Sequence, residues 1–197
     1  ISHAYLPFQS KFIYIGTNQG NVYLLNIESF KVSGYDIKWN KAIGMRDSNH
    51  PGAVIHLSEC PSDQSKLLIG FRKGLTVLWD LHKRDAVRFR HTEDLCSVAW
   101  HWEGRAFVCS HIDADLTEGD SAAAAASFRP ISRVSWLSRK QDKAELLLFT
   151  GGGPQELPQP CLNIQAGRHI DVLMMEHAII DIVPLCESPF VNGEAGN

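Results

Sequence analysis

Apolar positions along the chain fall into short runs, each closed by glycine or a polar turn, and none is long enough for an amphipathic helix. The run Ile13-Tyr14-Ile15-Gly16 leads through Thr17-Asn18-Gln19-Gly20 into Val22-Tyr23-Leu24-Leu25-Asn26-Ile27. Leu67-Leu68-Ile69-Gly70, Phe71-Arg72-Lys73-Gly74 and Leu75-Thr76-Val77-Leu78-Trp79-Asp80-Leu81 repeat that layout. Gly16 maps to Gly70 and Gly20 to Gly74, each 54 positions on. Each unit predicts a β-hairpin: β-rich runs flank a turn where glycine supplies a positive φ, and Trp79-Asp80 ends the second strand.

A third copy begins at Ala106-Phe107-Val108-Cys109-Ser110-His111, and its closing strand fails where Glu118 and Gly119 replace the apolar residues. Residues 113–127, acidic and then alanine-rich, are expected to form an irregular loop, because so short an alanine run is marginal as a helix in water. Further apolar runs precede the hairpins at 54–57, 96–100 and 131–136, and a fourth unit is expected from 146–151, 161–164 and 172–175. Short strands repeating every 40 to 54 residues suit propeller blades of the WD-repeat type. A β-sandwich explains the strands but not the glycine register or the Trp-Asp ending. The expected fold is therefore all-β, a partial WD-repeat propeller of about four blades with one disrupted, over residues 1–190. Residues 191–197 are expected to be a flexible tail. Closed rings need roughly 4–8 blades, so the chain is expected to be a slice of a larger propeller protein. In this frame Gly16, Gly20, Gly70, Gly74, Trp79, Asp80, Trp100 and Trp136 are structural anchors.

Composition agrees with a folded chain. Of 197 residues, 44% are hydrophobic and 21% charged, which excludes collagen-like, disordered and disulfide-scaffold classes. No apolar stretch is long enough to span a bilayer, and the first residues, Ile1-Ser2-His3, lack the basic and apolar regions of a signal peptide. Cys60, Cys96, Cys109, Cys161 and Cys186 are odd in number and widely spaced, which predicts reduced, mostly buried thiols in a cytoplasmic protein.

Candidate chemistry is sparse. The nine histidines include no HExxH and no paired ligand spacing, so no metal or other cofactor is expected. His101 and His111 could orient one another or a nearby Asp, but no nucleophile motif stands beside them, and structural hydrogen bonding is the expectation. Gly151-Gly152-Gly153-Pro154 lacks the Gly-Lys-Ser/Thr ending of a phosphate loop and reads as a turn. Asp113, Asp115, Glu118 and Asp120 read as a solvated acidic loop.

The net charge of −3 gives no pull towards nucleic acid, yet its distribution is uneven. Residues 66–91 hold seven basic side chains against two acids, a local +5. Residues 92–126 hold one basic side chain against seven acids, a local −6. Lys83, Arg84, Arg88 and Arg90 form a candidate basic edge for an acidic protein or anionic lipid. The competing reading is an ordinary solvated face.

Several strings carry a family resemblance: residues 2–11 from Ser2-His3-Ala4-Tyr5-Leu6-Pro7, Asn26-Ile27-Glu28-Ser29-Phe30, Trp39-Asn40-Lys41-Ala42-Ile43, His50-Pro51-Gly52, Val77-Leu78-Trp79-Asp80-Leu81 and Leu185-Cys186-Glu187-Ser188-Pro189. Together they resemble the tomosyn branch of the lethal giant larvae superfamily of WD-repeat proteins. The pattern departs after Asp113, where the strand completing a blade is replaced by the alanine-rich stretch. The resemblance implies a non-enzymatic cytoplasmic scaffold that regulates SNARE-dependent exocytosis through syntaxin. It also implies localisation in the cytoplasm with peripheral contact at the plasma membrane. The polarity branch of the same superfamily is the alternative, and a propeller-based enzyme is a more distant one. The enzyme reading lacks support, because the equivalent blade positions carry Thr17, Phe71 and His111, a set with no shared chemistry. No sustained heptad pattern supplies a SNARE-like helix.

Overall fold

The computed structural model describes residues 1–44, 49–112, 129–139, 144–153 and 159–185. The expected loop at 113–127, Cys186 and the expected tail at 191–197 lie outside the described residues. The chain divides into two compact units, Ile1–Leu95 and Cys96–Asn197.

The first unit contains two four-stranded antiparallel sheets in sequential order. Strands β1 (His3–Tyr5), β2 (Phe12–Gly16), β3 (Val22–Asn26) and β4 (Val32–Ile37) form one, and a short helix, α1 (Trp39–Ile43), follows it. Strands β5 (Val54–Cys60), β6 (Asp63–Phe71), β7 (Leu75–Asp80) and β8 (Asp85–Arg90) form the other. The two predicted hairpins are β2–β3 and β6–β7, with Gly16 opposite Val22 and Phe71 opposite Leu75. Gly20 and Gly74 hold their turns at φ of +73° and +72°, where an L side chain is strained. Gly16 acts differently: it has ordinary strand φ, and a Cβ there would collide with the Val54 side chain. Its job is close approach of β2 to β5.

Between the two sheets lies the core, made of Tyr14, Val22, Ile37, Val54, Leu57, Leu67, Ile69, Phe71, Leu75, Val77 and Trp79, with Ala42 and Ile43 of α1. Burying each such side chain contributes about 1.5–3 kcal/mol. Polar bonds stitch the same region. Ser2 Oγ donates to Val54 O at 2.6 Å, and Val54 N to Thr17 O at 3.1 Å. The N-terminal flank of α1, Lys38, offers no capping side chain; instead Asn21 Oδ1 accepts from Trp39 N at 3.0 Å.

In the second unit, β9 (Leu95–Trp100) pairs with β10 (Phe107–His111) in a two-stranded sheet. A third four-stranded antiparallel sheet holds β11 (Arg133–Ser138), β12 (Glu145–Thr150), β13 (Cys161–Ala166) and β14 (His169–Met174). Gly151 and Gly152 follow β12 at positive φ, and Pro154 lies outside the described residues. Every residue of β14 is exposed, including Ile170, Val172 and Met174 at about half their full area. Of the described cysteines, Cys60 and Cys161 are buried and Cys96 and Cys109 half-buried, all as free thiols.

His56 on β5 is a strongly perturbed base. Its Nε2 sits 2.7 Å from Ser58 Oγ and its ring 5.8 Å from that of His3. Burial, then the proximity of His3, lowers its pKa from 6.5 to about 3. A lowered histidine pKa favours the neutral form, so its contribution to stability is complete above pH 6.5 and declines as pH falls towards 3. We expect thermal stability to drop across that window, and His56→Gln to flatten the drop in a series of melts.

Candidate functional site

The β7–β8 turn is built by Asp80. Its Oδ1 accepts from the backbone N–H groups of Lys83 at 2.8 Å and His82 at 3.0 Å, and its carbonyl accepts from Arg84 N at 2.9 Å. Those bonds, the Lys83 N–H first, hold the Asp80 carboxyl below the usual range. Trp79, the neighbouring residue on β7, is buried with 2% of its area exposed. Its Nε1 donates to Tyr35 Oη of β4 at 2.8 Å, and Tyr35 Oη donates in turn to Leu81 O at 3.4 Å. The Arg84 guanidinium stands over the Tyr35 ring, 5.2 Å from its centroid.

Arg88 on β8 reaches α1. Its guanidinium donates from Nε to Ala42 O at 2.7 Å, from one terminal nitrogen to Lys41 O at 3.2 Å, and from the other to Ala86 O at 2.9 Å. It thereby satisfies carbonyls at the end of α1 that a short helix leaves open. Between α1 and the turn lies an open cleft of about 600 Å³, lined by Asn40, Lys41, Ile43, Arg84, Asp85 and Arg88. The four-residue basic edge is thus divided. Arg84 and Arg88 enter the cleft; Lys83 points out, 81% exposed and 3.9 Å from Asp80 Oδ2; Arg90 is exposed at the end of β8. Lys41, which joins the cleft, carried no signal in the sequence because α1 was not read there.

A second polar cluster surrounds His101 in the second unit. The ring is fully buried, its Nδ1 accepts from Glu103 N at 3.1 Å, and so its Nε2 carries the proton donated to Glu145 Oε1 at 2.9 Å. Arg105 donates to the same oxygen at 2.5 Å. The His101 bond, ahead of Arg105, lowers the Glu145 pKa. Trp136 packs edge-on against His101 at 4.9 Å, and Trp100 against Phe107 at 5.6 Å. The partner of His101 is therefore a glutamate on β12, rather than His111 or an aspartate. The arrangement aligns strands and presents no nucleophile. Among the described residues no group of His, Cys, Asp or Glu could hold a metal ion, and no helix is long and apolar enough to cross a membrane.

Comparison with known proteins adds kinship. A family model described as LLGL2 matches residues 122–196. The human LLGL scribble cell polarity complex component 2 is 27% identical over 76% of this chain and 17% of its own length. Its Danio rerio counterpart is 26% identical over 91% of this chain and 20% of its own length. The lethal(2) giant larvae protein of Drosophila melanogaster is 25% identical over 78% and 15% respectively. The chain is similar in sequence to members of the lethal giant larvae superfamily. It spans a fifth or less of the length of these superfamily members. Among solved structures, the WD40 domain of Toxoplasma gondii coronin is similar at a TM-score of 0.60 and 14% identity, over 86% of this chain and 46% of that one. That likeness, with the sequential four-stranded sheets, makes the fold a partial WD-repeat propeller.

Proposed function

We propose that the chain is part of a non-enzymatic interaction scaffold of the cell-polarity type. The observation that carries this reading is the similarity to LLGL polarity complex components over 76% to 91% of the chain. A scaffold of this kind works in the cytoplasm and meets the plasma membrane peripherally through partners. Tagged chain expressed in polarised epithelial cells is expected at the lateral cortex and to co-isolate with polarity proteins. Diffuse distribution with no such co-isolation overturns the proposal.

The tomosyn branch, with syntaxin and its SNARE partners, is the second reading, favoured by Trp39-Asn40-Lys41-Ala42-Ile43, the segment that forms α1. A SNARE-like contribution needs an amphipathic heptad seam. Purified chain mixed with syntaxin and its SNARE partner is therefore expected to give no SDS-resistant complex on unboiled gels. A stoichiometric resistant band would place the pairing element within these residues and favour tomosyn.

A further inference from the structure

We propose that the cleft between α1 and the β7–β8 turn recognises a phosphate monoester carried by a partner peptide, on a phosphorylated serine or threonine. Among the described residues, Lys41, Arg84 and Arg88 line the cleft against the carboxylate of Asp85, a lining charge of +2. A phosphate monoester brings roughly −1.5 to −2 at neutral pH, which matches that lining, whereas one carboxylate leaves it half compensated. Asp85 is already committed, because its Oδ1 accepts from Ala86 N at 2.7 Å.

The cations are also held in place before any ligand arrives. Arg88 spends three of its N–H groups on the carbonyls of Lys41, Ala42 and Ala86, and a guanidinium has five to offer. Arg84 is fixed over Tyr35, which is itself tied to the buried Trp79. A pre-set guanidinium pair loses little rotamer freedom on binding and suits the geometry of phosphate oxygens. The concave shape selects a peptide over a bilayer. A membrane plane meets freely projecting side chains, yet here Arg88 is bonded back to α1, Arg84 lies against the Tyr35 ring, and the exposed Lys83 sits beside Asp80. The inference rests on the cleft and not on the family reading.

The test uses the whole chain and fluorescence anisotropy with a phosphoserine peptide mixture of degenerate flanks, the same mixture dephosphorylated, and phosphatidylserine–phosphatidylcholine vesicles. Saturable, salt-sensitive binding of the phosphorylated mixture alone is expected. Lys41 is exposed on α1, so Lys41→Gln should keep the wild-type melt and weaken binding by about tenfold, the scale of one charge-assisted hydrogen bond. Arg84→Gln should act similarly and provides a second arm. Equal binding of the dephosphorylated mixture, binding unaffected in both variants, capture by vesicles alone, or no saturable binding each overturns the proposal. None of these outcomes depends on whether polarity proteins co-isolate with the chain.

Discussion

Trp79→Ala is expected to abolish the cooperative unfolding transition and leave an aggregating chain. The indole is 2% exposed in the core between the two sheets of the first unit, and removing a buried Trp side chain costs about 3–5 kcal/mol. A whole domain is stable by only about 5–15 kcal/mol, so one truncation consumes much of the margin. The indole also supplies the Nε1 bond to Tyr35, the polar link between β7 and β4. Trp79→Phe is a milder change: it keeps an aromatic ring in the core but removes the donor and part of the indole volume, an expected loss of about 1–3 kcal/mol. Far-ultraviolet circular dichroism in a urea series reads both variants. A Trp79→Ala chain that stays soluble with an unchanged midpoint would show that the indole does not anchor this core.

The second large effect belongs to a residue with no side chain at all. At Gly74, φ of +72° combines with crowding: a Cβ would fall 2.5 Å from Glu93 O and closer still to His91 O. Those oxygens belong to the backbone leading from β8 to β9, and His91 N donates to Gly74 O at 2.8 Å, so neither can yield without breaking the link. Gly74→Ala is expected to cost about 3 kcal/mol or more, combining left-handed strain with an overpacked contact. Gly167, in the β13–β14 turn, is the control. Its φ is +58°, and a Cβ there meets nothing within 4 Å, so Gly167→Ala should lose only about 1 kcal/mol. Equal losses at the two sites in denaturant melts would remove the packing argument and leave backbone strain alone.

Much of the fold was legible because the inner strands announce themselves. Residues 67–71 form an unbroken apolar run because all five are buried, and the Gly20 and Gly74 turns fall at equivalent places in both repeats. Outer strands were not legible. β8 is Asp85-Ala86-Val87-Arg88-Phe89-Arg90, mostly exposed and half charged, and β4 is interrupted by Gly34. Their pairing comes from the neighbouring strand rather than from their own composition. α1 was invisible for a related reason: at five residues without a capping side chain it cannot nucleate alone, and it exists because Asn21 receives it. The site inherited these gaps. Its local excess of Lys and Arg could be counted from sequence, but the inclusion of Lys41 and the separation of Lys83 from Arg84 required α1 and the turn to be seen together.

The two repeats of the first unit are kin, yet position 21 of one and 75 of the other hold asparagine and leucine, each directly after the turn glycine. In the second copy the leucine is a core residue, and the chain leaving the last strand bonds straight back to the glycine beside it. In the first, the buried amide accepts from Trp39 N, and the exit runs into a helical turn. One side chain thus breaks the symmetry of a duplicated module. The basic cleft depends on that break, since the helical turn that Asn21 holds supplies one wall of it and the outer strand of the other repeat supplies the second.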